Sequence, residues 1–229
     1  MAQTEFWNLR SPSSTIRLAE WASGEMDLEG IVCPIHDGHR AGGKRLTDLS
    51  IALPGRTIQD FVWTWYSECV LQDRVLELFK EHGFTGFDVK PVKAKFKRVS
   101  DREIPRLWEL IVSGWAGMAS PESGIKLIER CEGCGHTVYS GSNNSGTLID
   151  ISQWDGSDFF IVWPLPRFIF VTHRVAQAIR DNRLTGAVLT EPKDLDLSGG
   201  LLGSFSPGRL SDALPEERAR ELGAVLGIQ

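Results

Sequence analysis

The sequence lacks long apolar runs and has few cysteines, and both absences limit the kind of protein it can encode. No stretch approaches the roughly 18 consecutive apolar residues of a membrane-spanning helix. The first residues show no basic segment followed by an apolar run, so no secretory leader is expected. Four cysteines among 229 residues are too few for a disulfide scaffold. We therefore expect a globular protein of the cytoplasm with reduced thiols and no membrane partner.

The sequence also lacks a surplus of positive charge. Its 25 Lys and Arg residues are outnumbered by 30 Asp and Glu residues, which gives a net charge of −5. Nucleic-acid binding depends on the neutralisation of phosphates by basic side chains, so an acidic chain makes such a partner unfavourable. A hydrophobic content of 41% is enough for one large core or two small ones.

Common catalytic patterns are absent from the sequence. It contains no GxxxxGK[ST] phosphate loop and no recognisable pair of nucleophile and base. Zinc deaminases also carry a CxxC, but they require His-x-Glu upstream and Pro before the first cysteine. Here Arg130 precedes Cys131, and no His-x-Glu occurs. We therefore predict that the protein is not an enzyme.

Three of the four cysteines lie in two short segments suited to a metal ion. Cys131 and Cys134 form a CxxC followed by glycine, and Cys33 and His36 have the same two-residue spacing. Together they offer three thiolates and one imidazole, which complete a tetrahedral zinc shell. A shell with four protein ligands is structural, because catalytic zinc keeps an open position. We therefore predict structural Zn²⁺ bound by Cys33, His36, Cys131 and Cys134.

The fourth ligand and the metal itself have competing interpretations. His39 and His136 lie close enough in the sequence to replace His36 as the imidazole ligand. A redox-active CxxC is the main alternative to a metal site. Cys69 lies in an aromatic and branched segment, so we interpret it as a small core residue.

The pattern along the chain indicates an α+β fold made of two related α/β halves. An amphipathic helix is predicted at 73–83 and another near 173–181, each followed by a Thr-Gly turn. The two segments are 100 residues apart, which suggests an internal duplication. The predicted division is 1–98 and 99–195, each half with one knuckle of a split zinc-ribbon-like site, and 196–229 as a tail with a terminal helix.

Five segments match motifs of a known family. They are Cys131–Gly135, Ser152–Phe160, Val162–Pro166, Thr185-Gly186 and Pro207–Leu210. In these segments the sequence resembles the bacterial double-CxxCG motif family, whose members include immunity proteins encoded beside polymorphic toxins. The resemblance implies a non-catalytic protein that binds a cognate toxin encoded nearby and neutralises it in the producing cell. One departure is that His36 replaces the second cysteine of the first motif, although histidine also occurs in structural zinc sites.

An inhibitory protein needs an interface with large anchoring side chains. Interfaces of this kind bury about 1,600 Å² and are anchored by aromatic and arginine residues. The candidate anchors for a toxin are Trp63, Trp65, Tyr66, Trp115 and Trp154.

The alternative function is a zinc-ribbon protein that binds nucleic acid or regulates expression. Its contact surface would be a basic row made of Lys93, Lys95, Lys97 and Arg98. The competing interpretation of these lysines is an edge strand protected by its charges from unwanted pairing.

Overall fold

The computed structural model describes residues 5–12, 18–55, 57–98, 101–198 and 204–226. Among these residues the chain forms seventeen β-strands and four α-helices, and the helices are concentrated towards the C-terminal end. A mixed α+β fold dominated by sheets is thereby confirmed. Parts of the predicted tail, 199–203 and 227–229, lie outside the described residues.

The first nine strands are β1 (Phe6–Arg10), β2 (Glu20–Trp21), β3 (Leu28–Val32), β4 (Arg40–Arg45), β5 (Ser50–Leu53), β6 (Phe61–Trp63), β7 (Cys69–Gln72), β8 (Phe87–Pro91) and β9 (Lys93–Phe96). The others are β10 (Leu107–Val112), β11 (Gly114–Met118), β12 (Leu127–Arg130), β13 (Thr137–Ser140), β14 (Phe159–Trp163), β15 (Ile169–Thr172), β16 (Val188–Thr190) and β17 (Ser204–Phe205). The helices are α1 (Asp73–Glu81), α2 (His173–Asp181), α3 (Leu210–Ala213) and α4 (Glu216–Leu226).

Two large sheets organise the core, and each takes one strand from the other half of the chain. One sheet has the order β11-β14-β15-β1-β16, and the other has the order β6-β7-β10-β8. Strand β1 lies antiparallel between β15 and β16, although about 160 residues separate it from β15 and about 180 from β16. Strand β10 lies antiparallel between β7 and β8 in the same way. The two large sheets therefore depend on each other for a central strand.

The two exchanged strands also occupy matching registers. Asn8 in β1 lies opposite Phe170, and Glu109 in β10 lies opposite Val70. The partners of these two residues are 100 positions apart along the chain. The two large sheets thus pair in the same way with the strand that each receives from the other half.

Helices α1 and α2 cover these sheets with the apolar faces that their sequences predict. In α1 the residues Val75, Leu76 and Phe79 are buried, at the spacing of one helical face. In α2 the buried residues include Val175 and Ile179 at the equivalent positions. Both predicted helices are thus confirmed, with ends close to the expected ones.

A carboxylate at the start of β6 connects the first half to the second. Asp60 accepts hydrogen bonds from the guanidinium of Arg74, from the backbone N–H of Thr185 at 2.7 Å and from its hydroxyl at 2.8 Å. Burial raises the pKa of Asp60, but the donors from Arg74 and Thr185 outweigh it and hold this pKa below its usual value. The carboxylate is therefore ionised when it joins the two halves.

A second carboxylate makes the reciprocal connection. Asp158 accepts hydrogen bonds from the backbone N–H of Thr85 at 3.1 Å and from its hydroxyl at 3.4 Å. It also pairs with Arg174 at 3.4 Å and accepts the hydroxyl of Thr172 at 2.8 Å. The hydroxyl of Thr172, at the N-cap position of α2, is thus used by this cluster and does not cap the helix.

The largest group of buried apolar residues combines both halves. Leu9, Phe61, Phe79 and Phe159 all belong to it, and each is at most 1% exposed. Two smaller groups fill the other faces of the sheets, one around Phe160 and one around other aliphatic side chains. The predicted boundary between residues 98 and 99 therefore runs through a shared core. Among the residues described, no helix combines the length and apolar character needed to span a membrane.

The Thr-Gly turns provide a test of this architecture. Gly86 and Gly186 have φ angles of 83° and 85°, and a Cβ on either would lie 2.1 Å from a backbone oxygen, that of Phe159 or Phe61 respectively. We expect Gly86→Ala and Gly186→Ala each to lower the free energy of unfolding by about 2 kcal/mol or more in urea denaturation. Gly55→Ala is the control, since a Cβ there meets nothing within 4 Å. Unchanged stability in either of the first two variants would contradict the close approach.

Candidate metal centre

Two hairpin loops carry the residues predicted to bind metal. The loop between β3 and β4 is closed by a hydrogen bond from Cys33 N–H to the His39 carbonyl at 3.1 Å. The loop between β12 and β13 is closed in the same way, from Cys131 N–H to the His136 carbonyl at 2.8 Å. Each loop therefore folds as a tight knuckle whose first cysteine lies directly after a strand.

The two knuckles meet, although their first cysteines are 98 residues apart. The sulfurs of Cys33 and Cys131 are 3.6 Å apart, and the sulfur of Cys134 is 3.8 Å from Nδ1 of His39. The ligand atoms of these four residues all lie within 4.8 Å of one another. Tetrahedral zinc with bonds of about 2.0–2.3 Å separates its ligand atoms by about 3.3–3.8 Å. The four residues thus lie close enough to bind a metal ion.

The imidazole in this group is that of His39, and not that of His36 as predicted. His36 is exposed, and it contributes its backbone N–H to Cys33 Sγ at 3.3 Å. The His36 ring lies outside the group, whereas His39, whose carbonyl closes the loop, lies inside it. The His136 ring lies 4.7 Å from that of His39 but is also outside the group.

Backbone donors favour the thiolate form at two of the cysteines. The N–H groups of Gly133 and Cys134 lower the pKa of Cys131. Burial raises the pKa of Cys33, but the N–H donors of the following residues outweigh it, so this pKa is also lowered. The pKa of Cys134 is raised: the N–H of His136 lowers it, but burial and the neighbouring thiols act more strongly in the opposite direction. Metal ligation requires thiolates, so the first cysteine of each knuckle is prepared for this role.

Contacts around the four residues hold them in place. Nε2 of His39 lies 3.8 Å from a carboxylate oxygen of Glu129, which fits the carboxylate partner that metal-binding histidines commonly have. A Cβ at Gly133 would lie 2.7 Å from the side chain of Ile35 and 3.3 Å from Cys33 Sγ. Glycine at position 133 therefore allows the first knuckle to pack directly on the second.

Cys69 has a different environment. It is 1% exposed within the main core and outside the four-residue group. Burial, with a smaller effect from the charge of Glu109, raises the pKa of its thiol. The interpretation of Cys69 as a core residue is confirmed.

The five aromatic residues predicted to contact a partner have different exposures. Trp63 and Trp115 are each 5% exposed and belong to the main core, so neither extends into solvent as an anchor. Trp154 is partly buried against Phe6, with ring centroids 5.1 Å apart. Trp65 and Tyr66 are 67% and 51% exposed, so these two are available for contact.

Lys93 and Lys95 of the lysine row lie on β9, at one end of the three-stranded sheet β2-β5-β9, and Lys97 follows the last residue of this strand. Lys95 pairs with Glu25 at 2.8 Å, and Lys97 pairs with Glu20. These carboxylates neutralise the charges that a phosphate backbone would need. The edge-strand interpretation therefore agrees with the structure better than a phosphate-binding surface does.

Sequence reasoning gave no role to Glu129 and did not rank His39 above the other two histidines. The sequence position does not separate His39 from His136, since the carbonyl of each closes a knuckle. Comparison with known proteins adds no functional information, since no family model and no curated protein matches this chain.

Substitution of the cysteines tests the metal centre. We expect Cys131→Ser and Cys134→Ser to abolish stoichiometric zinc, measured by mass spectrometry of the purified protein, and to lower its melting temperature, because metal-binding energy contributes to folding. Cys69→Ser is the matched control and should keep its zinc. Equal metal content in all three variants would rule out the site.

Substitution of the histidines tests which imidazole binds the metal. His39→Ala should weaken zinc binding by at least about tenfold in a competition titration with a chromogenic chelator, whereas His36→Ala and His136→Ala should leave it nearly unchanged. A larger loss in His36→Ala than in His39→Ala would restore the assignment made from the sequence.

Proposed function

We propose that this protein is an immunity protein that binds a cognate toxin in the cytoplasm of the producing cell and neutralises it without catalysis. The observation that carries the proposal is the meeting of the two knuckles, in which residues 98 positions apart converge on one point. The second of these knuckles contains Cys131–Gly135, one of the segments in which the chain resembles the double-CxxCG family. That family includes immunity proteins, and for this reason we propose a toxin encoded nearby as the partner.

The donor set supports a structural zinc ion. Three thiolates and one imidazole suit zinc, and four protein ligands leave no position for a reacting water. Strands β3 and β4 form a separate two-stranded sheet with many exposed residues, and isolated hairpins of this kind are only marginally stable. A zinc ion bound by Cys33, His39, Cys131 and Cys134 would fasten this hairpin to the second knuckle. The proposed role of the ion is thus to stabilise the fold.

We further propose that the two halves arose by duplication of one unit. Support comes from the reciprocal Asp60–Thr185 and Asp158–Thr85 hydrogen bonds and from the matching registers of β1 and β10. In this interpretation each unit contributes one strand to the sheet of the other unit. The zinc ion joins the two loops that correspond to each other in the two units. An experimental structure in which the two halves fail to superpose over these strands would contradict the duplication.

The nucleic-acid alternative is less well supported. The net charge is −5, and two of the four basic residues on which it depends are already paired with carboxylates. Electrostatic attraction to phosphates is therefore weak on this surface.

The proposed function is tested with the product of the adjacent reading frame. We expect an inactive form of that protein to bind with a Kd in the nanomolar range and a one-to-one stoichiometry by calorimetry, as inhibitory complexes with standard interfaces do. Co-expression should restore growth to cells that make the active form. Cys131→Ser should lose rescue through lower stability, whereas Cys69→Ser should retain it. Absence of both binding and rescue would refute the proposal.

A further inference from the structure

We propose that the turn between β6 and β7, residues 64–68, together with the cavity beside it, is the surface that binds the partner, and that the partner inserts an uncharged apolar side chain there. The inference rests on the proposed function, because it takes the partner to be a protein. It goes further by specifying the surface and the chemistry of the residue that enters it.

Two large aromatic side chains extend from this turn into solvent. Trp65 and Tyr66 are 67% and 51% exposed. Tyr66 stacks on Trp21, with ring centroids 3.9 Å apart and an angle of 22° between the rings. Exposed aromatic groups of this size are enriched at the centres of protein interfaces.

Hydrogen bonds within the turn hold its backbone. The hydroxyl of Thr64 accepts the backbone N–H groups of Tyr66 at 3.1 Å and Glu68 at 3.3 Å, and the Thr64 carbonyl accepts that of Ser67 at 3.2 Å. Ser67 has a φ of 72°, an unusual value for a residue with a side chain. A fixed turn loses little conformational entropy on association, so its aromatic groups are well suited to act as anchors.

A cavity of about 560 Å³ opens beside Trp65. Its apolar lining consists of Leu9, Leu18, Trp63, Trp65, Phe168 and Leu195. This volume lies within the usual range of ligand pockets, about 300–1,000 Å³, and is large enough for an aromatic or long aliphatic side chain of a partner loop.

The charges around the cavity favour an uncharged occupant. Arg10 and Arg167 line it together with Asp194 and Asp196, so two positive groups balance two negative ones. The backbone N–H of Ser198 holds the pKa of Asp196 below its usual value, so this group is ionised at neutral pH. A charged anchor would be attracted by one pair and repelled by the other. An apolar anchor fills the lined space without leaving a charge unpaired.

The segment 100 residues later shows what a covered turn looks like in the same chain. Trp63 accepts a backbone hydrogen bond from Ala19, and Trp163 accepts one from Ala119, so the two tryptophans hold equivalent places. Leu165, at the position that corresponds to Trp65, is 4% exposed within a buried apolar group of this chain. The first turn has no such cover among the described residues, and it presents aromatic groups instead. We infer that the partner supplies the missing cover.

The test is calorimetric binding of an inactive form of the neighbouring toxin to four purified variants. We expect Trp65→Ala to weaken binding by at least about 30-fold, the loss typical of an interface hot spot, and Tyr66→Ala to weaken it by at least about fivefold. Ile151→Ala is the matched control, since Ile151 is 56% exposed and does not line the cavity. It should change Kd by less than about threefold. Asp196→Asn should also have little effect, because an uncharged anchor does not depend on that carboxylate.

The possible outcomes separate this inference from the proposed function. If the unmodified protein binds and Trp65→Ala binds equally well with an unchanged melting temperature, the surface is wrong and the immunity function stands. If Asp196→Asn loses as much affinity as Trp65→Ala, the anchor is basic and the uncharged occupant is refuted. If the unmodified protein does not bind the toxin, the proposed function fails and this inference fails with it.

Discussion

The exchange of a central strand between the two large sheets is the constraint on which the rest of the structure depends. Strand β1 completes the sheet of the second half, and β10 completes that of the first. An inner strand carries hydrogen bonds on both edges and apolar contacts on its inner face, so neither sheet is complete without the other half. Asp60 and Asp158 strengthen this exchange, because each accepts a backbone N–H and a hydroxyl from one threonine of the opposite half. The shared core follows directly from this arrangement.

The candidate metal centre is a second place where the two halves of the chain meet, outside the core. Its two hairpins are thin, and all four residues of β12 are exposed, so hydrophobic burial alone stabilises them little. In the proposed metal site, ligand bonds to Cys33 and Cys131 would supply the stabilisation that burial does not, because metal-binding energy enters the folding equilibrium. In the proposed function, zinc therefore preserves the shape of a binding protein and takes no part in chemistry.

A partly buried ionic network connects the hairpin to the aromatic turn. Arg45, the last residue of β4, pairs with Glu109 in β10 and lies 3.7 Å from Glu68 in the turn. Burial raises the pKa of Glu68, while Trp21 stabilises the carboxylate by donating a hydrogen bond from its indole at 3.1 Å. Such a network is costly unless every member is satisfied, and it therefore restricts the turn to one geometry. Arg45, in the hairpin that carries Cys33, therefore lies beside the same turn that carries Trp65.

The sequence by itself determined the local features. Apolar spacing predicted helices α1 and α2, the two knuckles predicted a group of cysteines and a histidine, and the environment of Cys69 predicted a core residue. Each of these depends on neighbours within a few residues, where helical periodicity and turn geometry act. Phe6–Leu9 and Leu107–Leu110 lie in the two exchanged strands, β1 and β10. No local rule, however, says that each strand pairs in the opposite half.

Only the tertiary structure decided the contacts between distant residues. It brought His39 to the cysteines in place of His36, buried Trp63 and Trp115, and left Trp65 and Tyr66 in solvent. The physical reason is that ligand distance and side-chain exposure depend on how separate segments pack. The packing of distant segments cannot be read from the type of a single residue or from its spacing to its neighbours in the chain.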